Sequence, residues 1–179
     1  MNKHEDKPMP NTSFRVMSFL FRIRDRFMKP GKQLQKVGIK EGQTVLDFGC
    51  GSGSYVIPAG RMVGERGSVY ALDIFPLAMR AAERKAKKER LTNITTILSD
   101  RDTGLQDESI DLILLYDTLH MIRDKVTLLK ELHRVLKPNG LLSILAEHIK
   151  VEDVLEIMEK DGLFSLKDRH GKLVNFEKG

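Results

Sequence analysis

The sequence predicts an open α/β domain: a doubly wound, mostly parallel sheet of seven strands whose last strand is antiparallel. Three observations predict it. Five short apolar runs alternate with segments of helical character, and alternation with short links builds a parallel sheet covered by helices on both faces. The first run leads into three glycines at alternate positions, Gly49, Gly51 and Gly53. Such a backbone turns sharply and lets a ligand approach closely at the carboxyl edge of a sheet. The chain closes on two strand-like segments around a polar turn, which reads as a hairpin.

The elements follow in order. Across residues 13–28, Phe14, Met17, Leu20, Phe21 and Phe27 recur at helical spacing, with Arg15, Arg22 and Arg26 largely between them; an amphipathic helix is expected. Pro30-Gly31 ends it, and Gly38 closes a second short helical turn. Residues 45–48 read as a central parallel strand. Pro58 falls in the first turn of the next helix, where its missing N–H would have had no partner. Residues 64–67 turn the chain into a second strand, 68–72, ending at Asp73. Residues 76–90 form an alanine-rich helix with a basic outer face, and Glu83 is spaced to pair with Lys87.

Residues 94–98 are a third strand closed by Ser99-Asp100, and the nearly all-aliphatic 110–116 a fourth. A helix over 124–136 is stopped by Lys137-Pro138-Asn139-Gly140. Residues 141–146 make the fifth strand, and 151–160 a helix ended by Gly162. Segments 163–168 and 173–176 pair around Arg169-His170-Gly171-Lys172. The expected order is therefore five strand-plus-helix alternations followed by a hairpin.

Composition narrows the class. With 41% hydrophobic and 31% charged residues, the 179-residue chain has the make-up of a soluble globular domain. It has no uncharged apolar stretch of about 18 residues, hence no expected membrane span, and residues 1–10 lack a signal-peptide core. Its one cysteine, Cys50, lies in the glycine loop, so a reducing, cytoplasmic location is expected. The net charge of +5 is unevenly placed: residues 1–40 hold ten Lys or Arg against three Asp or Glu, which leaves the rest slightly acidic. We therefore divide the chain into an amino-terminal helical arm or lid, residues 1–40, and a ligand-binding domain, residues 41–179. The arm's charge suits nucleic acid, an anionic surface or an acidic substrate, or simply a solvated helix face.

The loop by itself indicates a nucleotide-like cofactor. A dinucleotide fingerprint needs glycine where Ser54 stands. Instead the glycines alternate, and Asp47 precedes the first by two places. Asp73 does not discriminate, because an acid at the end of the second strand binds ribose hydroxyls in either case.

The order of motifs is more specific. Val45-Leu46-Asp47-Phe48-Gly49-Cys50-Gly51, Val69-Tyr70-Ala71-Leu72-Asp73-Ile74, Ser99-Asp100, Asp111-Leu112-Ile113-Leu114-Leu115 with Leu119-His120, and Arg134-Val135-Leu136-Lys137-Pro138-Asn139-Gly140-Leu141-Leu142 come in sequence. With these segments the chain, over roughly residues 37–145, resembles the class I S-adenosylmethionine-dependent methyltransferases, a Rossmann-like family, and within them the small-molecule group that includes quinone-biosynthesis enzymes. The resemblance implies S-adenosylmethionine as cofactor, with no metal. It implies that Asp47, Gly49, Gly51 and Gly53 surround the donor's cationic amino-acid end and that Asp73 accepts from the ribose hydroxyls. Ile74 would then lie on one adenine face, Asp100 and the Arg101 amide would meet its edge, and Tyr116, at the mouth of the fourth strand, would also contact the cofactor.

Methyl transfer is a displacement at a carbon already activated by the sulfonium, so the protein chiefly aligns donor and acceptor. A base is needed only for an acceptor that must lose a proton; Tyr116, Asp117 and His120 at the mouth of the fourth strand are the candidates, with orienting and capping as the plainer roles of His120 and Asp117. The implied reaction is transfer to oxygen, nitrogen or carbon of a small-molecule acceptor. The alternatives are an RNA or other nucleic-acid methyltransferase using the basic arm and a non-catalytic, cofactor-binding regulator. Leu115-Tyr116-Asp117-Thr118 stands where amino-group DNA methyltransferases carry Asn/Asp-Pro-Pro-aromatic, which argues against nucleic acid. The one cysteine excludes paired-thiol chemistry within one chain. The phenylalanines of the arm suit an apolar acceptor pocket or contact with a membrane surface, and a homodimer is left open.

Overall fold

The computed structural model describes residues 30–179; the helix expected over 13–28 lies outside them. In chain order the elements are α1 (Pro30–Val37), β1 (Thr44–Phe48), α2 (Val56–Val63), β2 (Ser68–Asp73), α3 (Pro76–Lys88), β3 (Ile94–Leu98), β4 (Ile110–Tyr116), a 3₁₀ turn at Leu119–Met121, α4 (Lys125–Val135), β5 (Leu136–Leu145), α5 (Val151–Glu159), β6 (Phe164–His170) and β7 (Leu173–Lys178). The strands form one sheet in the order β3-β2-β1-β4-β5-β7-β6. All pairs from β3 to β5 are parallel, and β7 runs antiparallel to both β5 and β6.

The chain works outward from β1 to β3, returns to β4 and works outward the other way. Right-handed crossovers then place α2 and α3 on one face and α4 and α5 on the other. Side-chain alternation along the strands agrees. Val45, Leu112, Leu114 and Tyr116 pack with α1–α3 residues Leu34, Val56 and Met79. Leu46, Phe48, Ile113 and Leu115 pack with Leu128, Leu132 and Val154 of α4 and α5. Ile113 and Leu114, neighbours on opposite faces, are both fully buried; truncating such a side chain to alanine costs roughly 2–5 kcal/mol. The reversal between β1 and β4 leaves a crevice at their carboxyl ends, where open α/β sheets bind ligands.

Three expectations are corrected. First, the link from β3 to β4 carries no helix, so the alternations number four rather than five. Here Asp102 Oδ1 accepts from Gly104 N at 3.0 Å, and Glu131 of α4 accepts from Thr103 N and Oγ1 at 3.0 and 2.6 Å, fixing an extended path. Second, Lys137-Pro138-Asn139-Gly140 does not separate helix from strand, because β5 already begins at Leu136. The register shifts between Ile110 and Leu112, whose partners are Leu136 and Leu141, so the intervening residues bulge within the ladder. Asp111 holds the bulge by accepting from Lys137 Nζ at 2.7 Å and Thr44 N at 2.8 Å. Third, α3 stops at Lys88, and Arg90 adopts a left-handed φ of 57° while Leu91 N closes on Ala86 O at 3.0 Å. Glu83 accepts from Thr96 Oγ1 of β3 at 2.7 Å, a contact that sequence spacing did not suggest. The terminal hairpin is present, with a tighter turn than expected, because β6 extends to His170.

Candidate active site

The loop after β1 is tied to the neighbouring strand. Gly49 N and Cys50 N both donate to Leu72 O, at 2.8 and 3.0 Å, and Gly53 N to Cys50 O at 2.9 Å. Gly49, Gly51 and Gly53 have φ of 77°, 52° and 78°, the left-handed region that glycine occupies at no steric cost. Gly49 has a packing reason as well: a Cβ there would lie 2.3 Å from Thr118 Oγ1. At Gly51 a Cβ would meet nothing within 4 Å, so the backbone faces open space.

Two acids stand beside this space. Asp73, at the end of β2, accepts from Gly51 N at 2.8 Å through Oδ2 and from Phe75 N at 3.0 Å through Oδ1. Burial raises its pKa, opposed by the backbone N–H groups of Gly51, Phe75 and Ile74. Asp47 is 2% exposed, and its Oδ2 is buried without a hydrogen-bond partner. Burial, and then the Asp73 charge, push its pKa up to about 8. A buried carboxyl with an orphaned oxygen and a like-charged neighbour is costly, and a cation entering the loop relieves that cost. A phosphate there would worsen it. Cys50 Sγ donates to Gly51 O at 3.7 Å, and burial together with Asp47 and Asp73 raises its pKa, which makes it a loop residue rather than a nucleophile.

Farther along the same edge, Ile74 is half-buried after β2, and Ser99 N donates to Asp73 O at 3.1 Å, joining the end of β3 to the site. Arg101 lies between two acids, with Nη2 2.9 Å from Asp100 Oδ2 and Nη1 3.5 Å from Asp124 Oδ2. Asp124 also caps α4, accepting from Thr127 N at 3.1 Å.

At the mouth of β4, Asp117 takes a left-handed φ of 55°, strain of the kind that concentrates at functional edges. Thr118 Oγ1 bonds to Tyr116 O at 2.9 Å and approaches Gly49 O at 3.5 Å. Tyr116 itself lies in the core, its hydroxyl 3.0 Å from Ser143 Oγ and its ring edge-on to Tyr55 at 4.7 Å. His120 is exposed on the 3₁₀ turn, its ring centroid 5.2 Å from that of His148. Burial and then His148 lower its pKa, against the opposing effect of Asp117. His120 is therefore largely neutral near neutral pH and able to accept a proton.

The structure thus brings Asp47, Gly49, Gly51 and Asp73 into one cluster, places Asp100 and Arg101 beside it at the end of β3, and sets Asp117 and His120 across the crevice. Sequence reasoning missed Thr118, His148 and Ser52, whose hydroxyl is also buried without a partner. No signal in the chain flags these three, since their importance comes from neighbours distant in sequence. Among the described residues no cluster of three or more His, Cys, Asp or Glu has metal-binding geometry, and no helix is long and apolar enough to cross a membrane.

Comparison with known proteins agrees with this geometry. A family model described as a methyltransferase domain matches residues 39–170. A solved S-adenosylmethionine-dependent methyltransferase from Aquifex aeolicus is 32% identical with a TM-score of 0.71, covering 82% of this chain and 86% of that one. Demethylmenaquinone methyltransferase of Geobacillus stearothermophilus is 31% identical over 109 residues, 60% of this chain and 47% of the relative. Aklanonic acid methyltransferase DauC of a Streptomyces species is 38% identical over 74 residues, 41% of this chain and 34% of the relative. The chain spans about half the length, or less, of the curated relatives it matches.

Proposed function

The chain belongs to the S-adenosylmethionine-dependent methyltransferases, and on that premise we propose that it transfers a methyl group to oxygen, nitrogen or carbon of a small-molecule acceptor. Its cofactor is S-adenosylmethionine, a donor with an ammonium, a sulfonium, a ribose diol and an adenine but no phosphate. One observation carries the reading: the buried, unpartnered Asp47 Oδ2 beside Asp73, at a loop whose Gly51 leaves open space. That is a site short of positive charge.

We assign Asp47 to the cationic end of the donor, directly or through water, and Asp73 to the ribose hydroxyls. Asp73 Oδ2 accepts from Gly51 N and Oδ1 from Phe75 N, and a carboxylate has about four acceptor positions in all, which leaves capacity for a hydroxyl. Ile74, Asp100 and the Arg101 amide are assigned to the adenine, and His120 and Asp117 to the acceptor side. Tyr116 supports the site from below, through its ring and the Thr118 contact with its carbonyl. Where the acceptor must lose a proton, His120 is the group placed to take it.

The amino-terminal arm, residues 1–40, is read as the cover of the acceptor side. Its described end packs along α2: a Cβ at Gly31 would lie 3.7 Å from Met62 Cε and 3.9 Å from Pro58 Cβ, on the helix that follows the glycine loop. The Cys50 thiol is consistent with assignment to the reducing cytoplasm.

The purified 179-residue chain with S-adenosylmethionine should release S-adenosylhomocysteine only when an acceptor is added, tested by mass spectrometry across phenols, quinols, amines and carboxylic acids. Release driven by RNA and by none of the small molecules would contradict the proposal.

A further inference from the structure

We infer that the groove at the carboxyl end of β5 holds an anionic group of the methyl acceptor, which makes the acceptor a small acidic molecule. This rests on the methyltransferase reading and specifies its substrate class. The groove has a volume of about 560 Å³ and is walled by the β5–α5 link and the β6–β7 turn, a size that suits a small ligand. Both walls stand at the same sheet edge as the glycine loop, because β6 runs in the direction of β5 and its turn is held there by Ala146 N donating to Lys172 O at 2.9 Å.

The lining is rich in cations. Lys150, Arg169 and Lys172 face it, with His148 on the rim and Glu147 and Glu152 as the acids present. Lys172 Nζ lies 3.6 Å from Glu147, and Arg169 Nη1 lies 3.8 Å from Glu152. These are long ion pairs between partly exposed side chains, which an incoming anion displaces at little cost. Lys150 is exposed and makes no ion pair with any described residue. The three cations thus outnumber the two acids of the lining, and Lys150 has no acid paired to it among the described residues.

A contact path leads from the groove to the donor loop. His148 meets His120 at 5.2 Å between ring centroids. His120 follows Thr118 on the turn after β4, and Thr118 Oγ1 lies 3.5 Å from Gly49 O. An acceptor anchored by its acid in the groove lies along the two imidazoles with its far end toward the loop. The groove fixes the acid, and the histidines line the route to the reacting end.

The test uses the full chain saturated with S-adenosylhomocysteine and follows backbone-amide and imidazole chemical shifts during titration with benzoate, phenyl phosphate and benzamide. Benzoate or phenyl phosphate should shift Lys150, Arg169, Lys172 and His148, with benzamide at least about tenfold weaker, and the shifts should fade as salt is raised. The relative strength of the two anions tells carboxylate from phosphate. Replacing Lys150→Gln and Lys172→Gln together should weaken the preferred anion by about tenfold, a few-fold per exposed charge, while Lys150→Arg retains it. Both lysines are exposed, so the fold is not at issue. Equal binding of benzamide, shifts confined to other surfaces, or full anion affinity in the double variant would overturn the inference. Calorimetry with S-adenosylhomocysteine reports separately on the premise: a protein that binds it but takes no anion in the groove defeats this inference alone, and one that does not bind it defeats both.

Discussion

Gly51→Ala is expected to leave the fold standing and to abolish most donor binding. The new Cβ meets no protein atom within 4 Å, so the structural cost is limited to placing alanine at a φ of 52°, about 1 kcal/mol. The melting temperature should fall by only a few degrees. The methyl group, however, enters the open space beside the N–H that Asp73 holds, where the donor must approach. Affinity for S-adenosylmethionine, read by calorimetry, should drop by about tenfold to a hundredfold. Gly49→Ala is the contrast. Its Cβ would fall 2.3 Å from Thr118 Oγ1 and 2.9 Å from Thr118 Cβ, so the ends of β1 and β4 must part and the fold itself is damaged. Unimpaired donor binding by Gly51→Ala would show that the open space is not the donor's.

Asp47→Asn is expected to stabilise the free protein at alkaline pH while weakening the donor. The folded-state pKa of Asp47, about 8, lies above its ordinary value of 3.8. Between those values the folded state binds more protons than the unfolded chain, so the contribution of Asp47 to stability is full below about pH 4 and is lost as pH rises through about 8. The amide has no proton to lose, so the difference between variant and parent should grow in the variant's favour across that window, measured by urea melts at several pH values.

The ionised acid is nevertheless what attracts a cation. Parental affinity for S-adenosylmethionine should rise with pH up to about 8 as the proton is displaced, and the variant should bind about tenfold more weakly there, with that rise removed. Methylthioadenosine, which lacks both cationic groups, should bind parent and variant alike. A pH-independent parent, or a variant with unchanged donor affinity, would remove Asp47 from the site.

Most of the architecture was legible because its signals are local. Apolar runs bounded by turns gave the strands, and Gly49, Gly51 and Gly53 marked a backbone that only glycine adopts cheaply. Two departures came from tertiary contacts overriding local punctuation. Pro138-Asn139-Gly140 reads as a stop, yet Asp111 clamps Lys137 and lets the bulge remain within β5. The β3–β4 link has no helix because Glu131 of α4 takes up Thr103 instead.

The site divides in the same way. Asp73 and Asp100 stand at strand ends, where sequence alone marks them. The orphaned oxygen of Asp47 depends on burial by β2 and β4, and the His120–His148 contact joins residues brought together only by the pairing of β4 with β5. Arg101 was read for its amide, whereas its guanidinium also bridges Asp100 and Asp124.

The central claim is that two buried carboxylates at a glycine loop accept a cationic, phosphate-free nucleoside. Parallel calorimetric titrations of the 179-residue chain with S-adenosylmethionine and with a nicotinamide dinucleotide test it most directly. One equivalent of S-adenosylmethionine should bind with measurable heat while the dinucleotide gives none; tight dinucleotide binding with no heat from S-adenosylmethionine would contradict it.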